Sequence, residues 1–139
     1  MSDILGGIKD ATWAPPFIFI DRIIHMSREN AVALTSFNGG QDRFRYGSVT
    51  SPSLMVEAMA QLSLALIRYT DPEVKIGIIP ALRSVVMRPL PAHEFHATIH
   101  VRWSQGEFPR YGFEGTAYAL SEPVVEAGLD ILARRGGEA

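Results

Sequence analysis

The segment from Ser53 to Tyr69 contains neither glycine nor proline and is apolar almost all the way round. A helix lying on a surface keeps one polar face; a helix apolar on every side has to be enclosed. Ser51 is suited to cap it, and Pro52 fits the first helical position, where its missing amide proton sacrifices no bond. Asp71-Pro72 ends it. The rest of the chain must therefore supply enough sheet to wrap one long helix.

The flanking sequence reads that way. Phe17 to Ile24 is nearly all aromatic or β-branched, broken by Asp21 and Arg22, and reads as a mostly buried strand. Arg28-Glu29-Asn30 turns the chain into a second strand, Ala31 to Phe37. Asn38 to Gly47, with its glycines and charges, reads as a loop. Four strands follow the helix: Leu82–Met87, Phe95–Trp103, Arg110–Leu120 and Val124–Leu132. In the second of these, Phe95, Ala97, Ile99, Val101 and Trp103 share one face, while His96, Thr98, His100 and Arg102 share the other. Val125, Ala127, Leu129 and Ile131 face inward on the last. Ser2–Lys9 reads as a short helix stopped by Ala14-Pro15-Pro16, and Arg134–Ala139 as a frayed polar tail. The order predicts an α+β fold, an antiparallel sheet around one central helix, as a single domain over residues 1–139.

Composition removes several function classes. With 139 residues the chain can build a core without staples, and it has no cysteine, so disulfide scaffolds, thiolate zinc sites and a cysteine nucleophile are excluded. Thirteen basic residues against fifteen acidic leave a net charge of -2 and no pull toward nucleic acid or an anionic membrane. Leu54–Ile67 carries Glu57 and Gln61 and is too short and too polar to span a bilayer. Met1–Trp13 lacks the pattern of an export signal, so a cytoplasmic protein is expected. No Gly-rich phosphate loop opens a helix and no Gly-x-Ser-x-Gly elbow exists, so no cofactor is implied. His96 and His100 are too few to argue a metal site. Tyr111, Phe113 and Tyr118 read as packing residues, because no basic patch accompanies them.

Glu57 is the informative residue. It lies early in an apolar helix, with Gln61 one turn later on the same face. A carboxyl in apolar surroundings favours its protonated form and is suited to giving up a proton. The plainer reading is a helix face that reaches solvent or a subunit boundary.

Two stretches carry a resemblance. Pro16-Phe-Ile-Phe-Ile-Asp-Arg-Ile-Ile24, followed by Leu54-Met-Val-Glu-Ala-Met-Ala-Gln61, resembles the bacterial 3-hydroxyacyl-ACP dehydratases of the FabZ/FabA type, with their "PFLLVDRV"-like strand and "PGVLxxEAMAQ" helix. The likeness runs from Pro15 to about Ile67, and beyond Asp71 only strand count and lengths fit. It implies the hotdog fold and a site at a dimer interface, where a His from one subunit faces a helix acid from the other. The acid maps onto Glu57. In that mechanism the His takes the proton beside the thioester carbonyl and the acid protonates the departing hydroxyl. Backbone amides at the helix N-terminus hold the thioester oxygen.

The departures are equally informative. Aligned without gaps, the family's "GHFPG" loop falls on Asp42-Arg43-Phe44-Arg45-Tyr46, which puts Arg43 at the His position. A guanidinium keeps its proton and cannot be that base. The glycine before the helix falls on Pro52, which has no N–H; a one-residue shift would bring Ser53 there but needs a deletion. None of His25, His93, His96 and His100 occupies the family's position. The resemblance thus makes Glu57 the catalytic residue, with Arg43 in the place of the base. Phe44, Pro52, Ser53, Gln61 and Arg45 become candidates for substrate binding, with Arg43 and Arg45 suited to a pantetheine phosphate or an acidic carrier. The expected partners are an acyl carrier protein or coenzyme A thioester and a second hotdog subunit, identical or not. Three activities stay open: dehydration, alone or as a catalytically weakened subunit; thioester hydrolysis using Glu57; and non-catalytic acyl binding.

Overall fold

The computed structural model describes residues 20–37, 45–46, 49–50, 53–89 and 95–136. Strand β1 (Arg22–Met26) turns through Ser27–Glu29 into β2 (Asn30–Phe37). Two short strands, β3 (Arg45–Tyr46) and β4 (Val49–Thr50), pair with each other. Helix α1 (Ser53–Thr70) follows, then β5 (Val74–Met87), β6 (Phe95–Glu107), β7 (Arg110–Ala119) and β8 (Glu122–Arg135). The large sheet has six strands in the order β1-β2-β6-β7-β8-β5, all antiparallel. One helix packs on one face of this sheet, which is the hotdog arrangement.

The register explains the close fit. Ala33 pairs with Ile99, Ile99 with Ala117, and Ala117 with Val125. This row and its neighbours Ala31, Ala97, Ala119 and Ala127 are all buried. Period-2 alternation brings these small residues to one face, and their size lets the large side chains of α1 come near the backbone. Thirteen of the helix's eighteen residues are buried, including Met55, Met59, Leu62 and Leu66. Gly115 marks the closest approach: a Cβ built there would lie 2.7 Å from Met59 Sδ.

The helix ends as its sequence requires. The Asp71 amide donates to the Ile67 carbonyl at 2.7 Å, and Pro72 forbids a further turn. Arg135 Nε and Nη2 both donate to Asp71 Oδ2, at 3.0 and 2.8 Å, while its guanidinium lies 3.9 Å over the Phe108 ring. The end of β8 is thereby tied to the end of the helix.

Four expectations need correction. The strand expected at Leu82–Met87 begins at Val74, because an edge strand tolerates Pro80, which the register skips between Ile78 and Ala81, and keeps Gly77 paired opposite Ala133. The tail is not frayed from Arg134: β8 continues through Arg135, and the Gly136 amide donates to the Glu73 carbonyl at 2.8 Å. Tyr118 does not pack inside. Its even position puts it on the outer face, 38% exposed, whereas Tyr111 and Phe113 are buried. The first strand, expected to end at Ile24, reaches Met26. The expected helix Ser2–Lys9, the start of that first strand, most of the loop Asn38–Gly47 and the cap at Ser51 lie outside the described residues.

Candidate functional site

Glu57, Ala60 and Leu64 fall at i, i+3 and i+7 and so form one stripe along α1. That stripe faces the edge strand β5. Between them lies a cavity of about 340 Å³, bounded by Ile76, Gly77, Ile78 and Ile79 of β5 and by Ile131 of β8. Apart from Glu57, every described residue on its wall is glycine, alanine, leucine or isoleucine. Glu57 is partly buried, near the helix N-terminus. Leu64 sits two turns further on, about 10 Å away at 1.5 Å per residue. The site is therefore an apolar trough with one carboxyl group near one end.

The edge strand is itself unusual. Of the ten exposed large hydrophobic residues among those described, six lie on β5: Ile76, Ile78, Leu82, Val85, Val86 and Met87. β5 hydrogen-bonds to β8 on one side only, among the described residues. A long edge strand with this much exposed apolar surface lacks the short length that often protects a sheet margin.

The other candidates separate. Ser53 opens the helix and is exposed; Gln61 is fully buried and does not line the cavity. Arg45 lies on β3, which pairs with β4 and not with the six-stranded sheet. Arg43, Phe44, Pro52 and His93 lie outside the described residues. His96 and His100 alternate with buried Ala97, Ile99 and Val101, so they stand on the outer face of β6. His25 is exposed on β1. None of these three histidines lines the cavity. Burial, with help from Arg102 and His25, holds the His100 imidazole below its ordinary value. Among the described residues no group of three or more His, Asp or Glu is placed to hold a metal ion, and no helix is long and apolar enough to cross a membrane.

A second hollow of about 360 Å³ at the β6–β7 hairpin includes Arg110, Tyr111 and Asp130. Its carboxylate is already engaged, since Asp130 accepts from Arg83 Nε at 3.1 Å. Arg83 also reaches Glu114 at 3.2 Å, which makes this cluster a tie across β5, β8 and β7.

The β5 contribution to the cavity does not stand out in the sequence. Gly77 and Pro80 interrupt the alternation there, although Ile76, Ile78 and Ile79 carried a β-branched signal.

No protein-family model matches the sequence, and no curated protein does. Solved structures do match. The chain is similar to the dehydratase heterocomplex ApeI:P from Xenorhabdus doucetiae, with a TM-score of 0.79 and 15% identity over 95% of this chain and 93% of that one. It is also similar to a hypothetical thioesterase with coenzyme A from Streptococcus pneumoniae TIGR4, with a TM-score of 0.68 and 12% identity over 97% of each chain. At these identities the likeness establishes the hotdog fold and places the chain among folds that include dehydratase and thioesterase proteins.

Proposed function

We propose that the chain is one subunit of a hotdog dehydratase acting on a 3-hydroxyacyl group held as a thioester of acyl carrier protein or coenzyme A. One observation carries this reading: Glu57 is the single ionisable residue among the described residues lining an otherwise apolar cavity of about 340 Å³. In the reaction a base removes the proton at C2 of the acyl chain. The C3–O bond breaks, the protonated Glu57 carboxyl gives its proton to the departing hydroxyl, and a C2–C3 double bond and water result. Apolar walls exclude bulk water and favour this direction of proton transfer.

The base is the missing part. The described histidines point elsewhere, and Arg43, at the position of the family's His, keeps its proton. We assign the base to a second hotdog chain seated on β5, beside the cavity. The exposed apolar residues of β5 support this, and so does the description of the Xenorhabdus relative as a heterocomplex. Arg43 and Arg45, in the segment before the helix, suit the phosphate of a pantetheine arm.

A second reading draws support from the same cavity-lining carboxylate and from the Streptococcus relative: Glu57 activates water and the thioester is hydrolysed. Product analysis separates the two. The purified chain is incubated with a 3-hydroxyacyl thioester, alone and with a hotdog dehydratase chain that retains the His. The proposal expects 2-enoyl thioester only in the mixture. Release of free thiol would overturn it in favour of hydrolysis. Dehydration by the chain alone would remove the need for a second kind of subunit.

A further inference from the structure

We propose that Gly77 sets the length of the acyl chain this protein accepts, by giving Leu64 and Ile131 somewhere to rest outside the trough. This rests on reading the cavity as an acyl site. A Cβ built on Gly77 would lie 3.1 Å from Leu64 Cδ1 and 3.1 Å from Ile131 Cγ2. Both side chains are buried, at 1% and 2% exposure, and both line the cavity. The ends of the two residues thus occupy the space that a side chain on β5 would otherwise fill. On this reading they form the end wall of the trough, with Leu64 two helical turns from Glu57. The backbone at residue 77 has no need of glycine for its own sake, since Gly77 lies in a paired strand opposite Ala133. What glycine supplies there is room.

The distance gives the length. The trough runs about 10 Å from Glu57 to Leu64. An extended chain of carbons bonded at about 1.5 Å advances about 1.25 Å per carbon in zigzag, so about eight carbons reach the wall. Each carbon buried before the wall should raise affinity about fourfold, and carbons beyond it should add nothing. A methyl group at residue 77 would sit 3.1 Å from both side chains, so their ends must give by a few tenths of an ångström toward the trough. Trimming Leu64 to valine moves the wall the other way.

The test is isothermal calorimetry with straight-chain acyl thioesters of N-acetylcysteamine, hexanoyl to tetradecanoyl, on the full chain and on the Gly77→Ala and Leu64→Val variants. For the unaltered chain, affinity should climb with length and then level off. Gly77→Ala should level off earlier, by at most about one carbon, and the longest chain fully taken by the unaltered protein should bind it more weakly, by up to about fourfold. Chains two or more carbons shorter should bind it as before, an outcome that general damage to the fold would not give. Leu64→Val should level off later. If all three proteins level off at the same length, Gly77 does not set it, and the acyl reading stands. If affinity does not depend on length in any of them, the cavity is not an acyl site and both conclusions fall.

Discussion

Replacing Gly115 with alanine tests how α1 is seated on the sheet, and with it the position of Glu57. The added Cβ would lie 2.7 Å from Met59 Sδ, 3.1 Å from its Cγ and 3.4 Å from Leu129 Cδ1. Favourable contacts between carbons lie near 3.5–4.0 Å, so something must move by about 1 Å. Met59 and Leu129 are both at 0% exposure and have no open space to enter. Overpacking of this kind costs ~1–3 kcal/mol, offset by ~0.4–1 kcal/mol from the stiffer unfolded chain. The net loss is about 1–2 kcal/mol. At ~2.1 cal/mol/K per residue over 139 residues, each kcal/mol lowers Tm by about 3 °C. Gly112→Ala is the control. Its Cβ would lie 2.8 Å from Gln105 Cγ, an equally close approach, but Gln105 is exposed and can swing aside. Its stability should stay within ~0.5 kcal/mol of the unaltered chain. Thermal and urea melts of both variants provide the comparison. If Gly115→Ala is as stable as Gly112→Ala, the helix does not rest directly on the β7 backbone, and the argument from the alanine-rich face fails.

Two further perturbations have definite signs. Leu120 and Ser121 form the two-residue β7–β8 turn with φ of 52° and 66°, a left-handed conformation that suits Asn-Gly far better. Leu120→Asn with Ser121→Gly should therefore raise stability by ~1–2 kcal/mol, read as a higher Tm; an unchanged or lower Tm would contradict the strain. His100 faces Val32 on β2 and Thr116 on β7, with Arg102 and His25 as its charged neighbours, and burial is the main cause of its lowered pKa. Because the folded value lies below the unfolded one, near ~6.5, the unfolded chain holds more protons in the window just beneath that pH. This contribution to stability is fully present above about pH 6.5 and shrinks as pH falls through that window. His100→Gln should flatten the dependence of Tm on pH there, and an unaltered slope would refute the assignment.

The helix and most strands were legible because their patterns are local. A run apolar on all sides, closed by Asp71-Pro72, admits only an enclosed helix. The alternation from Ala97 to Arg102 fixes which face of β6 points inward and so puts His96 and His100 outside. The same period-2 count separates Tyr118 from Tyr111 and Phe113, so the sequence itself carries that signal. Other features depend on partners far along the chain. Arg135 is held by Asp71, sixty-four residues away, and nothing near either residue announces the pair. The first half of β5 hid behind Gly77 and Pro80, which disqualify a central strand but not an edge. The candidate site was half visible for the same reason. Glu57 stands out as a carboxyl in an apolar helix, whereas the wall it faces consists of residues whose pattern is broken where the cavity lies.

The proposed dehydration depends on the Glu57 carboxyl acting as an acid toward an acyl thioester, and replacing it with the amide addresses that directly. In the proposed two-chain dehydratase, Glu57→Gln should lower kcat by ~10²–10⁴, the usual contribution of a positioned acid, with KM changed only a few fold. The side chain keeps its size, so Tm should hold. A variant that turns over at the rate of the unaltered protein would show that this carboxyl takes no part in the chemistry.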